Sequence, residues 1–156
     1  MSIKLSFNVV LVNPQIPQNT GNIARLSAAT NSVLHVIHPL GFEISEKQVR
    51  RAGLDYWPEV EIREHASWEE FLCSIEDDDG CLWFFSTKGK SSYLSVDYRA
   101  GDYLIFGNEG AGLAKSFYQE YQSRLLRIPI VNQNVRSLNL ANAVAIVIYE
   151  GLRQNS

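Results

Sequence analysis

A chain of 156 residues, 46% of them hydrophobic, is long enough to bury one continuous core without disulfides or a structural metal, and a single domain over 1–156 is expected. Its formal net charge of -3 excludes an indiscriminate polyanion binder, which carries a basic excess. The two cysteines, Cys73 and Cys81, form no C-x-x-C pair and join no Cys/His cluster of zinc spacing, so both are expected as reduced, buried, small hydrophobes in a cytoplasmic protein.

The first apolar run, FNVVLV at 7–12, reads as a strand. The N-terminal stretch around it has no signal-peptide cleavage pattern and is too short to cross a bilayer, so no membrane association is expected. In NPQIPQNTGNIARL, at 13–26, two prolines set an extended approach to a helix over 20–30. Asn22 and Arg25 lie three apart, on one face of that helix, where both can act on one target. The alternative reading leaves Asn19 or Thr20 as a cap and Arg25 as surface charge, but a guanidinium at a helix start is poorly placed for the dipole, which favours a functional role. Strands are then expected at 34–38, 59–64, 81–87, 102–107 and 124–130, with helices at 45–52, 67–75, 113–121 and 137–152, Ser67 and Ser137 serving as N-caps. Strands alternating with helices imply an α/β fold, a mainly parallel sheet flanked by helices, and such sheets bind ligands beyond the carboxyl ends of their strands.

The segments that end those strands carry the unusual residues. LIFGNEGAGL, at 104–113, sets three glycines around Glu109. Glycine-rich turns after strands usually cradle phosphate, yet the order here matches neither the dinucleotide fingerprint nor the P-loop, and Glu109 would repel an anion. A neutral or cationic nucleoside suits it better. The last segment passes from an amide-rich loop into a helix apolar almost all round, which reads as buried; Asn139, Asn142, Ile146 and Tyr149 form a mixed stripe along it that lines a ligand site, a subunit contact or simply the core. Arg50, Arg51, Lys88, Lys90 and Arg136 are candidates for a phosphate-contacting surface, with ordinary solvated charge as the alternative.

NTGNIARL, LIFGNEGAGL and IPIVNQNVRSLNLANAVAIVIYE, in that order, resemble the three motifs of the SPOUT methyltransferases, the class with a deep C-terminal trefoil knot. IPQNTGNIARLSAAT, HPLGFEISEKQVRRAGLDYW and STKG further resemble the minimal subgroup that methylates the ribose 2'-oxygen of the wobble nucleotide 34 of tRNA, a cytidine or 5-modified uridine. Chains almost never knot, and an unknotted flavodoxin-like sheet is the physical default; the resemblance implies the exception. It also implies S-adenosylmethionine as cofactor, no metal, a homodimer, and the tRNA anticodon stem-loop rather than DNA as partner. By motif correspondence Phe85, Gly107, Ile128 and Ser137 would hold the cofactor, with Thr87, Asn108, Glu109 and Leu138 adjacent and Glu109 suited to the sulfonium. Arg25 would sit at the acceptor hydroxyl, with Asn139 and Tyr149 completing the polar surroundings. Asn22, Arg50, Arg51, Lys88 and Arg136 would contact RNA. A catalytically silent RNA-binding module and a nucleotide-dependent oxidoreductase are the competing classes; the first needs no glycine-turn pocket, and the second lacks its glycine fingerprint.

Overall fold

The computed structural model describes residues 6–45, 47, 49, 51 and 58–156. In chain order the elements are β1 (Asn8–Val12), α1 (Pro17–Ala29), β2 (Val33–Ile37), β3 (Glu61–His65), α2 (Trp68–Ser74), β4 (Leu82–Phe85), β5 (Ser91–Ser92), β6 (Tyr103–Phe106), α3 (Lys115–Glu120), β7 (Leu125–Arg127) and α4 (Leu140–Gln154). The strands form a seven-stranded sheet in the order β3-β2-β1-β6-β4-β7-β5, and every pairing between them is parallel. The expected helix at 45–52 lies largely outside the described residues, and so does Arg50.

Central strands of such a sheet are covered on both faces, and the side-chain alternation shows it. Val9, Leu11, Leu34, Val36, Leu104 and Phe106 point to one face, against Ile23 and Ala24 of α1 and Val144, Val147 and Ile148 of α4. Val10, Val12, Ile37 and Ile105 point to the other, against Phe71 of α2 and Phe117 of α3. Gly151 lets α4 settle on the first face, since a Cβ there would stand 2.6 Å from Phe7 Cζ. The end of α4 is fastened to the 93–98 segment: Gln154 accepts from the Tyr98 N–H at 2.8 Å and donates to the Val96 carbonyl at 3.1 Å.

Several sequence expectations are corrected. Ser67 does cap α2, accepting from Glu70 N at 3.1 Å, but the cap of α4 is Asn139, which accepts from Asn142 N at 3.2 Å; Ser137 lies two residues upstream in irregular chain. Helix α1 starts at Pro17, so neither Asn19 nor Thr20 caps it; proline already holds the helical φ and needs no N–H partner at that position. β7 ends at Arg127, ahead of Pro129, which cannot donate to a ladder. Helix α4 is not apolar all round in use: Ile146 and Tyr149 are 37% and 54% exposed on a face shared with exposed Asn142. Cys73 is exposed and Cys81 half-buried, both free, so neither is the buried core residue expected.

A buried polar chain crosses the sheet from Asn8 at the amino end of β1, through His35 in the middle of β2, to His65 at the carboxyl end of β3. His35 Nε2 meets Asn8 Oδ1 at 3.0 Å, and His35 Nδ1 meets His65 Nε2 at 3.0 Å. Asn8 spends its amide on the Gly101 carbonyl, so His35 Nε2 donates, Nδ1 accepts and His65 Nε2 donates. His35, 1% exposed, has its pKa pushed down to about 3 by burial first and by His65 and Arg63 next.

Candidate active site

The loops that follow β1, β4, β6 and β7 converge at the carboxyl end of the sheet, where this architecture places its ligands. Three of them, after β4, β6 and β7, wall a cavity of about 530 Å³, in the range of small-molecule sites. Its apolar side comprises Phe85, Phe106, Ile128, Ile130, Leu138 and Leu140, with the Phe85 and Phe106 rings stacked 4.9 Å apart. Its polar groups include Ser86, Thr87, Asn108 and Tyr118, and Lys88 and Arg136 stand at the rim, both exposed.

The glycine turn explains itself on geometry. Asn108 and Gly112 exchange backbone hydrogen bonds of 3.3 and 3.0 Å, and Asn108 Oδ1 accepts from Gly110 N at 3.0 Å and Ala111 N at 2.6 Å. The N–H groups of residues 108, 110, 111 and 112 are therefore occupied within the turn, which leaves the loop poorly suited to cradle a phosphate. Gly107 is required by the turn itself: a Cβ there would lie 2.2 Å from the Gly112 carbonyl carbon and 2.4 Å from Leu113 N. Gly112, at φ +68, supplies the left-handed corner. After β4, Gly89 is pressed on β7, where a Cβ would meet the Leu126 carbonyl carbon at 2.7 Å, so the STKG segment can fold over the strand end. Ser86 Oγ bonds the Tyr118 hydroxyl at 2.8 Å, joining that segment to α3.

The structure brings Phe85, Thr87, Lys88, Gly107, Asn108, Glu109, Ile128, Arg136, Ser137 and Leu138 to one cavity wall. Asn139 adjoins it and donates to Asn19 Oδ1 at 3.1 Å, linking the starts of α1 and α4. Asn22 and Arg25 are exposed on α1 and Tyr149 on α4, and none of them lines the cavity of its own chain; Arg51 is also exposed and away from it. Nine residues of helix at 1.5 Å each put Arg25 about 13 Å along from Ile16. The Glu109 carboxylate faces backbone: Oε1 accepts from Gln15 N at 3.0 Å and Oε2 from Ile16 N at 2.5 Å. Sequence reasoning missed Ser86, Tyr118, Ile130, Leu140 and Ala143 in the wall. Ile130 and Leu140 bracket the loop already singled out, whereas nothing in the sequence ties Tyr118 to Ser86. Among the described residues no three His, Cys, Asp or Glu side chains cluster as a metal site requires.

A parallel α/β sheet with a cavity among its carboxyl-end loops is the architecture this chain shares with solved methyltransferase structures similar to it, and these place it in the SPOUT class, whose fold carries a C-terminal trefoil knot. The chain belongs to the SpoU rRNA Methylase family, whose sequence profile matches residues 6–149. It is 43% identical to the tRNA (cytidine(34)-2'-O)-methyltransferase of Polaromonas sp. over 150 residues, 96% of this chain and 91% of that one. A solved structure concerned with the 2-OH methylation of C/U34 on tRNA is 43% identical, with a TM-score of 0.91 and 96% of both chains covered. The AdoMet-bound rRNA methyltransferase of Sinorhizobium meliloti is 25% identical at a TM-score of 0.82, over 95% of this chain and 56% of that one.

Proposed function

We propose that this protein transfers a methyl group from S-adenosylmethionine to the ribose 2'-oxygen of nucleotide 34 in tRNA. The observation that carries this reading is the glycine turn, which already pairs the N–H groups of residues 108, 110, 111 and 112: it disfavours a phosphate-bearing cofactor and leaves a cavity that suits adenosine with an amino-acid tail. Phe85, Ile128, Leu138 and Leu140 would cover the adenosine, with Thr87, Asn108 and Ser137 offering polar contacts. When bound, the cofactor supplies an electrophilic methyl on a sulfonium. The chain must align the acceptor hydroxyl with it and exclude water. A ribose hydroxyl as acceptor also accounts for RNA over DNA, and a loop nucleotide is the kind a protein can reach.

Arg25 is assigned to the acceptor. Arginine side chains stay protonated in proteins, so its role is to fix the neighbouring phosphate and stabilise the developing alkoxide rather than to take the proton. Asn22 shares its helix face, and Lys88, Arg51 and Arg136 would steer the anticodon arm. We further propose a homodimer in the cytoplasm. Ile146 and Tyr149 of α4 and Ile16 at the start of α1 are exposed apolar groups on adjoining helices, and a second copy that covers them would bring Arg25 and Tyr149 to a site completed by both chains. Light scattering at micromolar concentration should give the mass of two chains.

The test is single-turnover methylation of unmodified tRNA followed by mapping of 2'-O-methyl groups. A methyl at nucleotide 34 is expected; its absence there, with cofactor bound, sinks the assignment. Arg25→Ala should keep cofactor affinity and lose most of the transfer rate, because its contacts form only in the ternary complex.

A further inference from the structure

Glu109 is the residue whose geometry departs most from its sequence assignment. Its Oε1 accepts from Gln15 N at 3.0 Å, and its Oε2 accepts from Ile16 N at 2.5 Å and from Gln15 N at 3.3 Å. Ile16 is the N-cap of α1 and has no capping oxygen, and Pro17 follows it. The carboxylate therefore does from 93 residues away what the glutamate of a capping box does from within a helix, and its charge sits at the favourable end of the dipole. Both partners are held. The turn that carries Glu109 is closed by the Asn108–Gly112 and Asn108–Ala111 bonds, and Gly107 is pressed against Gly112. The 14–15 segment is pinned by Gly41, whose N–H donates to the Pro14 carbonyl at 3.0 Å and whose missing Cβ would stand 2.9 Å from Gln15 Cα. A second tie, Asn139 to Asn19, joins the first turn of α1 to the other cavity loop.

We propose that Glu109 is a positioning residue: its carboxylate locks the amino end of α1 to the glycine turn, and so sets the helix that bears Asn22 and Arg25 in register with the cavity. It is not the counter-charge of a sulfonium. This rests on the methyltransferase reading above and deepens it. Glu109→Gln keeps one acceptor oxygen and turns an NH₂ against a backbone donor; Glu109→Ala removes both acceptors.

The experiment compares wild type with both variants in three readouts: calorimetric affinity for S-adenosylmethionine and for S-adenosylhomocysteine, single-turnover methylation of tRNA at saturating cofactor, and amide hydrogen exchange at Gln15 and Ile16. Both variants should bind the two cofactor forms in the wild-type ratio. Transfer should fall by about 100-fold, the scale of a 1 Å misplacement. Exchange at Gln15 and Ile16 should accelerate even without ligand, which reads the lock independently of catalysis. Weakened S-adenosylmethionine binding with unchanged S-adenosylhomocysteine binding would place the carboxylate at the sulfonium and overturn the proposal, as would wild-type transfer rates in Glu109→Ala. A wild type that binds neither form overturns the methyltransferase reading itself, and unchanged exchange at both amides overturns the lock alone.

Discussion

Strand β6 has a carboxylate at each end. Ahead of it, Asp102 is 3% exposed; Oδ1 accepts from Cys81 N at 2.9 Å, and Oδ2 accepts from Trp83 Nε1 and Arg99 N, both at 3.0 Å. Beyond it, partly exposed Glu109 accepts from two backbone amides at the start of α1. Both side chains tie remote backbone together with the same chemistry, and the difference is water. At Asp102 solvent is excluded, so loss of the carboxylate strands three donors inside the protein. At Glu109 water can replace the lost oxygens, so the loss falls on geometry and hardly on stability. The amino ends of the strands are where this fold is held, and the carboxyl ends are where it is aimed.

That division can be broken by substitution. Asp102→Ala should lower the free energy of unfolding by roughly 3 kcal/mol, read by urea titration, while the folded fraction binds S-adenosylmethionine with wild-type affinity. Weaker cofactor binding in folded Asp102→Ala would show that the two ends of β6 are not separable. At the other end, Gly107→Ala sets a Cβ on the backbone of Gly112 and Leu113, so the turn must open. A strain of about 2 kcal/mol is expected there, appearing as roughly 30-fold weaker cofactor binding. Gly110→Ala is its control, because a Cβ at 110 finds only Asn108 Oδ1 at 3.9 Å, and its stability should stay within about 0.5 kcal/mol of wild type. Equal effects from the two glycines would mean that the turn's internal packing does not shape the cavity.

The aimed end was the more legible in the sequence, for a physical reason. Glycine, proline and amide residues mark backbone that departs from regular structure, and such residues fall at 13–22, 107–112 and 132–142, so the loops that meet at the cavity announced themselves. Apolar periodicity marks six of the seven strands and the helices among the described residues to within a few positions; β5, two exposed serines, carries no apolar signal. The held end is built from residues that look ordinary in a string. Asp102 follows a glycine as any turn aspartate does, and Asn8 and His35 sit inside apolar strands with no local sign that they bond each other. Two residues show the limit of assuming that a side chain serves its own neighbourhood. The turn sequence points Glu109 toward a ligand, and its carboxylate also accepts from backbone 93 residues away; the serine at 137 suggests a cap, and Asn139 fills that position, accepting from Asn142 N.

The last test sharpens the comparison through pH. His35 lies in the middle of β2 and is tied to the held end through Asn8, whose amide reaches Gly101 beside Asp102. Burial, His65 and Arg63 push its pKa down to about 3 from the ordinary 6.5, with Asp78 opposing, and the partners enforce the same outcome: a proton on Nδ1 would face the Nε2–H of His65. Above pH 6.5 the imidazole is neutral in both folded and unfolded chains, so it adds no pH dependence. Below 6.5 the unfolded chain takes up a proton that the native chain refuses, and stability falls as the pH drops toward 3. By about pH 5.5 this amounts to roughly 1.4 kcal/mol from His35 alone. His35→Leu should be less stable than wild type at pH 7, because Asn8 and His65 lose a partner, yet its urea midpoint should decline less steeply between pH 7 and 5.5. Cofactor affinity, set at the other end, should follow neither curve in this range. If wild type and His35→Leu decline in parallel, His35 takes up its proton in the native chain, and the buried tautomer chain does not keep the imidazole neutral.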